Sequence, residues 1–314
     1  MSTSSSQVKP IDARLTKEKA SRIGKNDRQM SDEGKAFRRR SRGATALMVL
    51  FFVGLGLLVL LPFWAIFVAT FQDGNMIVRY GLNLGIDFST ASFDNWVALF
   101  TDSGSYFRWF FNSTLVTLLQ VGLTLAISSF VAYGFAMYEF RFKSALFISV
   151  ILLMSVPFEM LMLPLYIQIN DMQLQDTYTA VILPFLAHAV TIMFFRQYLR
   201  GIPKEIVEAG RIDGVTEMGI FFRLVLPLTK PAFAAMAILN GMGSWNNFLW
   251  PLLALRSPDK YTLPIGLNTL LTPYGNNYEL LIVGSFFSMI PIFILFILFQ
   301  RFFIEGMTAG AIKG

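Results

Sequence analysis

The chain has no cysteine, a single histidine and few charges. Without cysteine, disulfides and thiolate metal sites are excluded. One histidine and no H-E-x-x-H leave little equipment for an enzyme or a zinc centre. No G-x-x-x-x-G-K-[ST] loop occurs, so the chain cannot hold nucleotide by that route. Charged residues make up 15% of the 314, whereas a soluble domain carries roughly 25%. That deficit accompanies 54% hydrophobic residues and a mean hydropathy of +0.56. Both describe a chain dissolved in a bilayer, where each charge placed in hydrocarbon is costly. The net charge of +6 is not a nucleic-acid footprint, because the first 44 residues hold twelve Lys/Arg against five Asp/Glu. The rest is close to neutral, and no nucleic-acid partner is expected.

Residues 1–43 are polar, without apolar periodicity, and end in the cluster Lys35, Arg38, Arg39, Arg40, Arg42. They read as a mostly disordered cytoplasmic tail whose basic end marks the inner membrane face and can touch anionic lipid. The apolar run 44–71 is too long for a signal-peptide core and has no small-residue cleavage site, so it is expected to be the first spanning helix. Further spans are expected over 111–137, 145–169, 178–198, 231–255 and 280–303. Six spans put both termini on one side. Lys and Arg in the 139–145 and 200–230 loops, and none in 170–177, make that side cytoplasmic. The resulting organisation is a tail (1–43), a first helix (44–71), an extracytoplasmic loop (72–106), a core (107–303) and a cytoplasmic C-terminal tail (304–314). The 72–106 segment is Gly/Asn/Ser-rich with an aromatic patch at Trp96–Phe100, which suggests an irregular loop carrying one interfacial helix. The outer loop 256–279 reads either as an ordinary tether or as a segment that folds back toward the pore or contacts an external partner.

Two ionisable residues stand out within the expected spans. Glu159 lies between Pro157 and Pro164, where a loosened helix and a carboxylate suit a wet cavity. The alternative, a carboxyl hydrogen-bonded near the outer interface, is the preferred reading. His188 reads as a packing residue, since no acidic partner lies one turn away. In the fifth span, Gly241, Gly243 and Ser244 permit close helix approach. They precede Trp245, Asn246, Asn247, Phe248, Leu249, Trp250 and Pro251. Amides and indoles suit sugar hydroxyls and pyranose faces, but an aromatic belt at the interface has the same composition. Ser244, Trp245, Asn246, Asn247 and Glu159 are therefore the candidate substrate path.

The most informative stretch is 204–231, KEIVEAGRIDGVTEMGIFFRLVLPLTKP. It reads as a helix, an Asp213-Gly214 turn, a second helix over 215–222 and a proline-bounded entry into the next apolar run. Gly214 suits a reversal that needs positive φ. By itself this is an amphipathic hairpin. Its spacing, E-A-G-x-x-x-G followed by L-x-L-P, resembles the EAA loop of binding-protein-dependent ABC importer permeases, with Gly210 where Ala is usual and Leu224 where Ile is common. W-N-N-F-L-W-P-L is similar to a signature of the carbohydrate branch of that family. The ending from Gln300 to Gly314, and the pair Asn112-Ser113, resemble the maltose-type (MalG-like) subunit. Together the matches span about 110–314, and the long basic tail is the departure.

The resemblance implies an all-α polytopic membrane protein of the ABC importer type I permease fold. It implies a permease subunit rather than an enzyme, moving a sugar or oligosaccharide across a bacterial or archaeal inner membrane. Expected partners are a second homologous permease, an ABC ATPase dimer and an extracytoplasmic solute-binding protein. Cofactors are expected to be absent from this chain, with ATP and Mg on the ATPase. The resemblance carries ATPase coupling onto Glu208, Ala209, Gly210, Asp213, Gly214 and Pro227, and contact of the C-terminal tail with the ATPase onto Thr308, Ala309, Gly310 and Lys313. A glycerol-phosphate ester is the main alternative cargo, though no mid-span Arg or Lys favours it. A secondary transporter is disfavoured by the scarcity of intramembrane carboxylates and the lack of an obvious inverted repeat.

Overall fold

The computed structural model describes residues 44–81, 84–87, 89, 91–101, 105–272 and 275–309. Apart from a two-residue hairpin pairing Leu271–Thr272 with Gly275–Asn276, the regular structure among these residues is helical. The chain divides into two compact units, 1–64 and 65–314. Helix α1, Ala44–Ala69, has a mean hydropathy of 2.7 over its best window, and its portion in the first unit is exposed along its described length. That composition needs an apolar solvent or a partner.

In the second unit, α2 (Gly74–Tyr80) and α3 (Asp94–Thr101) precede the 32-residue helix α4, Tyr106–Met137. The 72–106 segment thus holds two short helices where one is expected. Trp96 of α3 donates from Nε1 to Thr70 Oγ1 at 3.1 Å, and its ring meets Phe286 and Phe287. This helix packs on protein along one face and exposes Val97 and Phe100 on another.

α4 is the centre of the unit. At 1.5 Å per residue it is about 48 Å long, more than the hydrocarbon thickness. Ser113, Thr117, Gln120, Thr124 and Ser128 recur at intervals of three and four and are all buried. Two members of this stripe, Ser113 and Thr124, bond backbone groups at helix breaks and ends, which helps an apolar unit tolerate interrupted helices. Thr124 Oγ1 donates to Phe185 O at 3.0 Å. Ser113 Oγ accepts from Leu263 N at 2.7 Å.

Three expected spans are not single helices. The third is α5 (Lys143–Met154) and α6 (Phe158–Asp171), bent by 102°. Pro157 lies at the break, where its ring and missing N–H stop the first helix. The fourth is α7 (Tyr178–Ile182, continued as a 3₁₀ turn to Phe185) and α8 (Ala189–Leu199), bent by 45°. The fifth region contains α9 (Lys204–Ile212), α10 (Glu217–Leu228), α11 (Lys230–Trp245) and α12 (Leu249–Ala254), with 77° between α10 and α11. After α13 (Leu263–Thr269), the chain closes with α14, Tyr278–Ala309. Among the described residues three helices are long and apolar enough to cross a membrane, or up to six if each bent pair is one span.

The loop after α12 folds back on α4. Asn112 Nδ2 donates to Asp259 O and Tyr261 O, both at 2.9 Å, and Trp109 Nε1 to Pro258 O at 3.2 Å. Gly266 permits the approach of α13, since a Cβ built there would lie 2.0 Å from the Trp109 ring. A second clamp joins this loop to the α6–α7 turn. The Asp176 carboxylate accepts from Arg256 N and Ser257 N at 3.0 Å, Ser257 Oγ at 2.5 Å and Lys260 Nζ at 2.9 Å. Burial alone would push its pKa up, but these donors outweigh it and hold the carboxyl well below its ordinary 3.8.

Candidate functional site

The hairpin formed by α9 and α10 is built by its turn. Gly214 has φ +72°, Gly214 N donates to Arg211 O at 3.1 Å, and Val215 N to Gly210 O at 2.9 Å. This is a Schellman end, which caps the last carbonyls of α9 and needs a residue tolerant of positive φ. Thr216 then caps α10, its Oγ1 accepting from Gly219 N at 3.2 Å. The second helix does not stop at 222. It runs to Leu228 through a π-helical turn at Phe221–Val225, where Leu226 N bonds Phe221 O. The wide turn lies just before Pro227, which lacks an N–H to continue an α-helical ladder.

One face of the hairpin is part of the core. Val207, Ile220, Phe221 and Val225 are buried in one cluster with Tyr133 of α4 and Phe195 of α8. Phe221 stacks on Phe130 with centroids 4.4 Å apart. A polar tie lies alongside. Arg211 donates from Nε to Glu217 Oε1 at 2.7 Å and from Nη2 to Oε2 at 3.3 Å, while the Tyr138 hydroxyl donates to Glu217 Oε2. The Glu217 carboxylate beside it raises the Arg211 guanidinium above its ordinary pKa. The sequence does not single out Glu217 or Tyr138. Six positions separate Arg211 from Glu217 across a turn, so no helical pairing pattern marks them.

The opposite face is exposed. Glu208, Ala209, Asp213 and Gly214 all lie on it, with Ile212 at 86% exposure and Met218 beside the tip. Gly210 instead faces inward, and Pro227 lies at the far end of α10, exposed. The hairpin is therefore a rigid projection with an apolar knob, a small-residue surface and flanking carboxylates. Its shape suits docking into a groove, and its other face is packed against α4 and α8.

The candidate substrate-path residues are not gathered in one place. Ser244 Oγ donates to Gln120 Oε1 at 3.2 Å in the buried stripe. Trp245 is 6% exposed, donates from Nε1 to Ser288 O at 3.0 Å, and meets the edge of Phe110. Trp250 is 0% exposed and donates to Ala180 O at 3.1 Å. Both indoles are committed to packing in this conformation. Asn246 is exposed, with Nδ2 turned back to Met242 O at 3.0 Å, and Asn247 is half-buried. Glu159 is exposed in the first turn of α6, at the 102° break. His188 caps α8, its Nδ1 2.9 Å from Thr191 Oγ1, which accepts from Asn240 Nδ2 at 3.1 Å. Gly241 lies against Leu295, while Gly243 has open space beside it. Thr308 and Ala309 end α14. Gly310 and Lys313 lie outside the described residues, as does the basic tail. Among the described residues no His, Asp or Glu group could hold a metal ion.

Residues 122–309, which include the whole hairpin, match the family described as the binding-protein-dependent transport system inner membrane component. The chain belongs to that family. It is a multi-pass inner-membrane component of an ABC importer, and not itself an enzyme. It is 48% identical over 267 residues to the arabinooligosaccharides transport system permease protein AraQ of Bacillus subtilis (strain 168), covering 85% of this chain and 95% of that one. It is 32% identical to the lactose transport system permease protein LacG of Rhizobium radiobacter, covering 82% and 92%. In fold it matches a chain of a bacterial ABC transporter involved in the import of the acidic polysaccharide alginate. That match has a TM-score of 0.72 at 21% identity and covers 84% of this permease and 98% of that chain.

Proposed function

We propose that the permease carries an oligosaccharide, as half of a translocation path completed by a second homologous permease, and that a partner ATPase drives it through the α9–α10 hairpin. The observation that carries the coupling is the two-faced hairpin. Ile212, Ala209 and Glu208 are presented outward, while Val207, Ile220 and Phe221 are locked inward against α4 and α8. A force on the tip is then transmitted to the spans, because a packed core has little room to deform. ATP and Mg belong to the partner in this reading, and the hairpin end of the molecule, with both termini, faces the cytoplasm. Oligosaccharide cargo is supported by the arabinooligosaccharide permease relative, and delivery is by an extracytoplasmic binding protein.

The test is co-purification and uptake with Ile212→Asp and Glu208→Lys. Both variants are expected to insert normally, to lose the ATPase on purification and to lose ATP-dependent uptake. Unchanged uptake in both would remove the hairpin from the coupling path. The cargo is tested separately, by uptake of labelled arabinooligosaccharides against glycerol phosphate in the assembled importer.

A further inference from the structure

Between the end of α4, the first turn of α5, the end of α8 and the start of α9 lies a cavity of about 260 Å³. Lys143, Arg196, Arg200 and Lys204 line it, with Glu139 as the one carboxylate among its lining residues. That carboxylate is already committed, since Glu139 Oε1 pairs with Lys143 Nζ at 2.9 Å. Among the described residues no carboxylate lies within ion-pair distance of Arg196, Arg200 or Lys204. The Arg196 guanidinium carbon lies over the Phe147 ring, 3.7 Å from its centroid, and its buried Nε has no hydrogen-bond partner. A buried donor left unpaired is destabilising. Like charges gathered round one cavity add repulsion, and a bound anion relieves both.

We infer that this cavity binds a phosphate group, either the headgroup of an anionic phospholipid or free phosphate. Two guanidinium forks and two ammonium groups from three segments suit a compact oxyanion with several acceptor oxygens. A basic pocket between helices at one end of a spanning bundle is also where lipid headgroups lie. The bound group would bridge Arg196 and Arg200, at the end of α8, to Lys204, the first residue of α9. It would thereby stiffen the joint at the base of the hairpin. Only this effect on coupling rests on the proposed function; binding itself does not.

The test uses the full chain in nanodiscs, which expose both leaflets, so the reading does not depend on which side the hairpin faces. In phosphatidylcholine nanodiscs containing phosphatidylglycerol, native mass spectrometry is expected to find phosphatidylglycerol retained on the wild type. Retention should be reduced roughly tenfold in the Arg196→Gln/Arg200→Gln variant, the scale of a lost charge-assisted hydrogen bond. Arg223→Gln, an exposed arginine outside the cavity, should behave as wild type. In pure phosphatidylcholine nanodiscs, inorganic phosphate should protect Lys143 and Lys204 from acylation if the free ion is the ligand. If loss of Arg196 disturbs folding, the exposed pair Arg200→Gln/Lys204→Gln gives the same comparison. Equal lipid retention in all variants, together with no protection by phosphate, would overturn the proposal and leave the cluster as topological charge alone.

Discussion

Gly210 and Leu224 face each other inside the hairpin. A Cβ built on Gly210 would lie 2.8 Å from Leu224 Cδ1 and 3.0 Å from Ile220 Cγ1. These are the two positions at which the loop departs from the pattern it resembles, and the structure brings them into one contact. The smaller residue on α9 makes room for the differently branched one on α10.

That contact makes Gly210→Ala a net destabilising change. Alanine gains up to about 1 kcal/mol of helix propensity, but overpacking against the fully buried Ile220 costs about 1–3 kcal/mol. Adding Leu224→Ile should recover part of the loss, with a coupling of at least about 0.5 kcal/mol. Thermal unfolding of the four proteins of the cycle in detergent measures it. Strict additivity would show that the contact is not the constraint.

Gly214→Pro should abolish uptake while leaving the protein inserted. Proline cannot adopt φ +72° and lacks the N–H that reaches Arg211 O, so the Schellman end is lost. Gly214→Ala, with left-handed strain of roughly 1–2 kcal/mol, should give an intermediate loss. Uptake and ATPase co-purification, compared at equal membrane content, check the order glycine, alanine, proline.

Gly266→Ala should destabilise the packing of α13 on α4 by about 1–3 kcal/mol, because the new methyl would overlap the Trp109 ring. Combining it with Trp109→Leu should cost less than the two single changes together. Protection of the 258–270 backbone from hydrogen exchange reads this locally.

The Asp176 clamp predicts a pH dependence of stability. The folded pKa of Asp176 is depressed by its Ser257, Arg256 and Lys260 donors. Its contribution is therefore fully present above the ordinary value of 3.8 and is lost as pH falls through the lower folded value. Asp176→Asn should lower the unfolding temperature at neutral pH, and the gap to wild type should narrow below about pH 4. A gap constant across that range would remove Asp176 from the acid response.

Much of this protein follows from the chain read linearly, because the determinants are local. The shortage of charge and the long apolar runs required a bilayer, and Asp213-Gly214 marked a reversal that takes positive φ. The spacing from Glu208 to Pro227 marked the hairpin, since each of those residues acts through its own backbone or its neighbours. Tertiary structure decided the rest. Hydropathy is continuous across Pro157 and Leu186, so neither the 102° nor the 45° bend is visible in it. Such breaks depend on partners far along the chain, as when Thr124 takes up the Phe185 carbonyl and Asn112 and Ser113 hold the backbone near Tyr261. The aromatic content of 245–251 could not say which way the indoles turn. Burial of Trp245 and Trp250 depends on Ser288, Phe110 and Ala180, residues that only folding brings to them.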